Sequence, residues 1–211
     1  MTFQEAHFQH QGPFRPCLPI ILASASPRRQ ALLTELGLHF HVQPSSLAEP
    51  APGPEEAPGE YVQSMAQYKA QTVARHKKPG IILAADTVVV TGQRILGKPE
   101  SSAHALSMLT ELNASTHRVL TGCCLLDPQD ESRTCTYAVC TEVTFSCHSR
   151  EILAAYVRTG EPWDKAGGYA IQGAGAFLVS HVHGSYSNVV GLPLNETAAA
   201  LLHLQAIETA R

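Results

Sequence analysis

The sequence predicts a fold of the α/β class, in which helices cover a β-sheet. Residues 22–29 have the character of a strand that runs into a helix. Residues 81–90 form a continuous apolar run, which is typical of a strand with both faces covered. Two further β-rich runs, 117–126 and 133–147, surround a turn and predict an antiparallel pair. With 211 residues, 44% of them hydrophobic, the chain can form one large domain or a domain with two lobes.

The opening strand and helix carry two adjacent arginines. Ser26 is a suitable N-cap, Pro27 fits the first helical position, and Gly37 ends the helix. Arg28 and Arg29 therefore lie in the first turn, beside unpaired backbone N–H groups and the positive end of the helix dipole. This arrangement favours an anion such as a phosphate chain. Two solvated guanidinium groups on an exposed turn are the alternative interpretation.

A second strand over residues 39–42 leads into a proline-rich loop, 43–59, that contains Glu49. The apolar spacing then predicts a helix over 60–75, with Lys69 at the boundary of its apolar face. A lysine at such a boundary usually lies on the surface, with its aliphatic stem along the apolar residues.

Asp86 interrupts the apolar run 81–90. A carboxylate inside a buried strand is costly unless it is paired, hydrogen-bonded or bound to a metal. Asp86 is therefore a better candidate for a functional residue than any surface acid. The alternative is an aspartate at a strand end that accepts hydrogen bonds from backbone N–H groups.

The pattern after this strand resembles a phosphate-binding P-loop but lacks one part of it. Gly92 and Gly97-Lys98 have the P-loop spacing, yet Pro99 offers neither the hydroxyl nor the N–H that the motif requires. The segment 91–93 is instead predicted to be a hairpin turn. Lys98 remains a candidate phosphate contact.

A glycine-rich segment, 160–173, has the character of a functional loop on a rigid scaffold. It carries Asp164, Lys165 and Gln172. A purely structural turn is the alternative. The other predicted elements are helices over 101–112, 149–156 and 193–207 and a strand over 176–182.

The bulk properties exclude several classes of partner. A formal charge of −3 and a pI near 6.4 argue against a nucleic-acid polymer or an anionic membrane surface as the partner. Residues 1–19 are predicted to be a flexible N-terminal extension without the features of a secretory signal, so a cytoplasmic location is expected.

Several motifs in fixed order give the sequence a resemblance to the Maf family of nucleoside triphosphate pyrophosphatases. The match covers about residues 20–205. The motifs are Ser24-Ala25-Ser26-Pro27-Arg28-Arg29, Lys69-Ala70, Ala85-Asp86-Thr87-Val88-Val89, Gly97-Lys98-Pro99, Asp164-Lys165-Ala166-Gly167, Ile171-Gln172-Gly173 and Asn188-Val189-Val190-Gly191-Leu192-Pro193-Leu194.

The resemblance implies a mixed sheet flanked by helices, shaped like inosine triphosphate pyrophosphatases, with two lobes and a central cleft, over residues 20–208. It implies hydrolysis of an acid anhydride, between the α and β phosphates, with Mg²⁺ or Mn²⁺, and removal of non-canonical nucleotides. A homodimer is expected. The ending Ile171-Gln172-Gly173 resembles the branch that acts on dTTP and UTP.

The resemblance also implies roles for individual residues. Asp86 matches the family's proton acceptor, and Glu49 would help Asp86 to hold the metal. Arg28, Thr87 and Gln172 match positions linked to substrate choice. The residues expected to bind the substrate are Ser24, Arg28, Arg29, Lys69, Thr87, Lys98, Asp164, Lys165 and Gln172.

Two departures from the family pattern leave a second hypothesis open. The acidic loop reads Leu47-Ala48-Glu49, with one carboxylate where the family often has two, and Ala170 replaces a usual glycine. A nucleotide-binding regulator that is linked to cell division arrest and has lost turnover is therefore the alternative to an active pyrophosphatase.

Overall fold

The computed structural model describes residues 12–46, 50–53, 55–76 and 79–210. Nine strands and six α-helices form this part of the chain. The strands are β1 Phe14–Pro16, β2 Ile20–Leu22, β3 His41–Val42, β4 Ile81–Thr91, β5 Arg94–Leu96, β6 Thr116–Asp127, β7 Asp130–Phe145, β8 Val179–His183 and β9 Ile207–Thr209. The helices are α1 Pro27–Glu35, α2 Pro58–Ala74, α3 Ser102–Leu112, α4 Arg150–Arg158, α5 Tyr186–Val190 and α6 Leu194–His203.

A seven-stranded mixed sheet forms the centre of the molecule. Its order is β3-β2-β4-β6-β7-β8, and β5 pairs with the outer part of β4. Strand β2 is parallel to β3 and β4, whereas β4, β6, β7 and β8 pair antiparallel. The predicted mixed sheet flanked by helices is confirmed.

The two faces of β4 are covered by different helices. On one face, α2 covers the whole strand, because Ile82 and Ala84 pack with one part of this helix and Val88 and Val90 with another. On the other face, α1 and α6 cover the beginning of β4, and α3 and α4 pack on Val89 near its end. Both faces are therefore buried, as the apolar run predicted.

One edge of β4 has a gap between its neighbouring strands. Strand β2 pairs with β4 only as far as Leu22 and Leu83, and β5 pairs with it from Val89 onward. Within the described ranges, no strand covers residues 84–88 on this side. Asp86 and Thr87 therefore lie at an open edge in the middle of an otherwise buried sheet.

The two ends of the described chain differ from the sequence prediction. Instead of a loose segment, Phe14–Pro16 pairs antiparallel with Ile207–Thr209. The predicted helix 193–207 ends at His203, because Gln205 has a positive φ of 52° and the chain turns back into β9. The predicted strand 176–182 starts only at Val179, after a 3₁₀ turn over Gly173–Leu178.

Among the residues that the structure describes, no helix has the length and apolar character needed to cross a membrane.

Candidate active site

A cleft of about 670 Å³ opens at the gap in the edge of β4. Its walls come from the start of α1, from α2, from β4, from the turn after β5, from the segment between α4 and β8 and from the end of α5. Ten of the residues predicted to form the site line this one cleft: Ser24, Arg28, Arg29, Lys69, Asp86, Thr87, Lys98, Asp164, Lys165 and Gln172. The remaining one, Glu49, lies outside the described residues.

Asp86 forms an ion pair with Lys69 at the base of the cleft. The Lys69 Nζ lies 2.7 Å from Asp86 Oδ1, and the two side chains are 12% and 9% exposed. Lys69 therefore does not occupy the solvated surface position that is usual for a lysine at the edge of an apolar helix face. The ion pair compensates the cost of burying the carboxylate and fixes its orientation.

A glycine opposite Asp86 allows α2 to approach the sheet. Gly122 of β6 is the antiparallel partner of Asp86, and a Cβ at this position would lie 2.2 Å from the carbonyl oxygen of Val62. Lys69 follows Val62 by two helical turns and lies on the same face of α2. The close contact of α2 with β6 at Gly122 thus brings the ammonium of Lys69 to Asp86.

The two adjacent arginines have different environments. Arg29 donates three hydrogen bonds: from Nε to the carbonyl of Gly191 at 2.7 Å, from Nη1 to Ser24 Oγ at 3.1 Å, and from Nη2 to Thr87 Oγ1 at 3.0 Å. Arg29 therefore ties the start of α1 to β4 and to the turn after α5. Arg28 points to the opposite wall of the cleft, where its Nη1 lies 3.4 Å from Asp164 Oδ2.

A hydrogen-bond network behind Thr87 was not predicted from the sequence. Thr87 Oγ1 lies 2.9 Å from Thr121 Oγ1, and the Thr121 hydroxyl donates to the carbonyl of Asn188 at 3.0 Å. The Asn188 amide donates to the Val119 carbonyl and to Thr141 Oγ1 at 3.0 and 2.9 Å. The only signal was that Asn188 belongs to one of the family motifs. The network holds Thr87 and, through it, Arg29.

The opposite wall is a charged turn that begins at Glu161. Lys165 donates to Asp164 Oδ1 at 2.6 Å and to the backbone carbonyl of Glu161 at 2.8 Å. Desolvation raises the pKa of Asp164, but its hydrogen bond with Lys165 and the attraction of Lys165 and Arg28 bring the pKa below its usual value. Asp164 therefore stays ionised and holds both cations at the mouth of the cleft.

Positive charge dominates the cleft. Five cations and two carboxylates line its described walls, which gives a formal charge of about +3 in a chain whose total is −3. The five cations are Arg28, Arg29, Lys69, Lys98 and Lys165. Such a site can bind a polyanion such as a phosphate chain.

The structure explains the P-loop-like pattern as a coincidence. Gly92 forms the tip of the hairpin between β4 and β5, with a φ of 57°, and Gly97 lies beyond β5. The two glycines belong to different turns and do not form one loop. Lys98 is nevertheless exposed at the rim of the cleft.

Ala170 fits its position without backbone strain. In the described part of the chain, Ala114 and Gln205 are the only non-glycine residues with a positive φ. Ala170 is buried, and its N–H donates to the hydroxyl of Tyr156 at 3.2 Å. The alanine is therefore compatible with the conformation of the segment that carries Gln172.

The donor set of the cleft suits a divalent ion that arrives with a phosphate chain. No group of three or more His, Cys, Asp or Glu side chains that could hold a metal is found among the described residues. Mg²⁺ commonly uses only one or two carboxylates and completes its shell with water and substrate phosphates. Asp86, as a buried carboxylate at the base of the cleft, fits that pattern.

The fold and the cleft define an α/β protein with a site for a polyanion. The family model described as Maf-like protein matches residues 19–204. The "dTTP/UTP pyrophosphatase" of Nitratidesulfovibrio vulgaris is 48% identical over 200 residues, which cover 95% of this chain and 94% of that protein. The "dTTP/UTP pyrophosphatase" of Myxococcus xanthus is 47% identical over 182 residues, covering 86% and 90%. The chain belongs to the Maf family.

The solved structure of a more distant protein shows a weaker likeness. The Staphylococcus aureus Ham1 protein aligns with a TM-score of 0.43 and 13% identity, over 77% of this chain and 80% of that one. This similarity is too low to support an argument about the fold, which rests on the sheet described above.

Proposed function

We propose that this protein is a nucleoside triphosphate pyrophosphatase that hydrolyses dTTP and UTP to the nucleoside monophosphate and pyrophosphate. The observation that carries the proposal is the cleft in which the buried carboxylate of Asp86 lies among five cations. The choice of dTTP and UTP is supported by relatives of that name at 48% and 47% identity over most of the chain.

The reaction requires a base beside a binding site for the triphosphate. A water oxygen attacks the α phosphorus, the bond to the α–β bridging oxygen breaks, and pyrophosphate leaves. Asp86 accepts the proton of the attacking water. Lys69 holds the Asp86 carboxylate in a fixed orientation, so that the base is in place before the substrate binds.

The cations stabilise the negative charge of the phosphates. Arg28, Lys98 and Lys165 line the cleft and attract the triphosphate, whose charge is about −4. Fixed charges in a partly dehydrated cleft stabilise the charge that develops on the leaving pyrophosphate. Arg29 contributes its positive charge from a position that three hydrogen bonds hold.

A divalent ion, Mg²⁺ or Mn²⁺, would be held by Asp86 together with the substrate. When bound, the ion supplies charge neutralisation on the phosphate oxygens. The proposed second ligand, Glu49, lies outside the described residues and stays a prediction.

The product pattern distinguishes this proposal from the alternatives. Purified protein is incubated with dTTP, UTP, CTP, GTP and ATP in the presence of Mn²⁺, and the products are separated by ion-exchange chromatography. Monophosphate and pyrophosphate from dTTP and UTP are expected. Binding without products would instead favour the nucleotide-binding regulator, and diphosphate with orthophosphate would indicate a γ-phosphate hydrolase.

The removal of non-canonical nucleotides, including modified pyrimidine nucleotides, is part of the same proposal. The expected homodimer, the cytoplasmic location and the absence of a nucleic-acid partner stay predictions from the sequence.

A further inference from the structure

Ile171 and Gln172 line the cleft, but the segment Ile171-Gln172-Gly173 is not held through the Gln172 side chain. Gln172 is exposed, and in the part of the chain that the structure describes its amide has no hydrogen-bond partner. The place of this amide in the cleft must therefore be set by the backbone on both sides of Gln172.

On the N-terminal side, Tyr156 of α4 holds the backbone. The N–H of Ala170 donates to the Tyr156 hydroxyl at 3.2 Å, and both residues are buried. Burial is the main cause that raises the pKa of Tyr156, and the negative charge of the nearby Glu161 carboxylate adds to the rise. The hydroxyl thus stays protonated and accepts the hydrogen bond from the Ala170 N–H.

On the C-terminal side, Glu161 holds the backbone. Its two carboxylate oxygens accept from the N–H groups of Ala174 at 3.2 Å and Gly175 at 2.8 Å. The carboxylate lies directly against the chain, because a Cβ at Gly173 would be 2.2 Å from Glu161 Oε1. Gly173 also has a φ of 75°, which favours glycine.

These contacts form a bracket of two side chains, Tyr156 and Glu161, around the three residues 171–173. Tyr156 fixes the backbone immediately before Ile171, and Glu161 fixes it immediately after Gly173. Both side chains lie against Gly175, whose N–H donates to Glu161 and where an added Cβ would be 2.5 Å from the Tyr156 hydroxyl oxygen. If these side chains only stabilised the 3₁₀ turn Gly173–Leu178, the hydrogen bonds of Glu161 would be sufficient. The additional hydrogen bond of Tyr156 with Ala170 lies before Ile171 and outside that turn.

We propose that Tyr156 and Glu161 are positioning residues that set the Gln172 amide for recognition of the pyrimidine base. The inference rests on the proposed function, since it concerns the base preference of that reaction. Uracil and thymine present an N3–H donor beside an O4 acceptor, and cytosine presents the reverse pattern. An amide with one donor and one acceptor side discriminates between them only when its position is fixed.

The test compares the preference for UTP over CTP, as a ratio of kcat/KM values, in conservative variants. Tyr156→Phe and Glu161→Gln are each expected to lower this ratio about fivefold, because each removes a hydrogen bond of the bracket. Tyr137→Phe is the matched control. Its hydroxyl lies 3.0 Å from Thr197 Oγ1 and not in the cleft, so its loss is expected to leave the ratio unchanged.

A double-variant cycle separates positioning from a general loss of stability. In a Gln172→Ala background, Tyr156→Phe is expected to change the ratio no further, because the group that it positions is gone. An undiminished effect in that background would overturn the proposal, as would an unchanged ratio in correctly folded Tyr156→Phe protein. If Tyr156→Phe does not fold, the same cycle with Glu161→Gln decides.

Failure of the proposed function has a different signature. A wild-type protein that releases no pyrophosphate from any nucleotide contradicts the pyrophosphatase itself. A wild-type protein that turns over UTP, with variants that keep its preference, contradicts only the positioning role.

Discussion

Asp86 and Asp127 show how much the surroundings of a single carboxylate decide its role. Both are buried aspartates with a cationic partner, Lys69 at 2.7 Å for Asp86 and Arg133 at 2.8 Å for Asp127. Only Asp86 lines the cleft. The pair therefore separates the effect of losing the proposed catalytic base from that of losing a buried ion pair.

We expect Asp86→Asn to lower kcat by about 10²- to 10⁴-fold, because an amide cannot accept the proton of the attacking water. The variant keeps the size of the side chain, so the fold and nucleotide binding are expected to persist. Asp127→Asn is the control and is expected to retain turnover. Pyrophosphate release and circular dichroism are the measurements, and near wild-type turnover in Asp86→Asn would show that another group is the base.

His117 is a buried residue that favours unfolding in one acidic pH range. Its Nε2 lies 2.7 Å from the hydroxyl of Tyr169, and its ring packs edge-on against Phe145 and Tyr169. Burial lowers the pKa of His117 from 6.5 to about 4. The folded protein therefore holds a neutral His117 at pH values where the unfolded chain is protonated.

This difference predicts a loss of stability on acidification. As the pH falls from 6.5 to about 4, the unfolded state binds a proton that the folded state does not. The free energy of unfolding then falls by about 3 kcal/mol from this residue alone. Urea unfolding at several pH values is compared between wild type and His117→Gln. A pH dependence that is the same in both proteins would contradict the assignment.

At the scale of elements, the contact between α2 and β6 decides the geometry of the site. Gly122 permits this contact by lying directly against the backbone of Val62. At Gly59, in the first turn of α2, an added Cβ would meet only a Leu120 methyl group at 3.9 Å. The two glycines thus differ in what an alanine would contact.

Gly122→Ala is expected to destabilise the protein by about 1–3 kcal/mol, because the added methyl group overlaps with the backbone of Val62. It is also expected to lower kcat, since α2 must move and Lys69 moves with it. Gly59→Ala is expected to stabilise the protein by about 0.5 kcal/mol and to leave kcat unchanged. Thermal unfolding and steady-state kinetics test both, and an unchanged kcat in folded Gly122→Ala would show that Lys69 does not depend on this contact.

The sequence predicted elements well where local pattern and packing agree. The run 81–90 was found because eight of its ten residues are apolar, and Asp86 was found because it is the only charged residue in the run. The prediction erred where tertiary pairing overrides local preference. Leu204 and Ile207 continue an apolar helical pattern, yet Ile207 pairs with Pro16 at the other end of the described chain.

The site was predictable only in part for a similar reason. The charged residues were identified from their types and motifs, but Arg28 and Arg29 are neighbours that look equivalent in the sequence. Their different roles depend on Gly191 and Thr87, which are distant along the chain. Thr121 and Asn188 carry no charge and act only through a network that spans three strands and a helix.

At the scale of the whole molecule, the pairing of β1 with β9 brings the two ends of the described chain together. Phe14 and Leu18 pack against the core that contains α1 and α6, and Arg15 pairs with Glu208 at 2.9 Å on the surface. None of the residues of these two strands lines the cleft. Stability and catalysis are therefore separable at this end of the molecule.

Deletion of residues 1–18 is expected to destabilise the protein by at least about 2 kcal/mol, because Phe14 and Leu18 lose buried apolar contacts. The protein that remains folded is expected to keep its kcat. Arg15→Ala, which removes only an exposed ion pair, serves as the control and is expected to have almost no effect on Tm. A truncated protein as stable as wild type would show that β1 is dispensable.

The register of these strands places Phe14 directly opposite Thr209. A short peptide linker could therefore join the end of β9 to the beginning of β1. New termini could be placed at the tight turn Pro128-Gln129 between β6 and β7. Such a circularly permuted chain would retain every contact of the cleft while its order of synthesis changed. The cleft depends on which strands are neighbours in space, and not on the order in which the strands are synthesised.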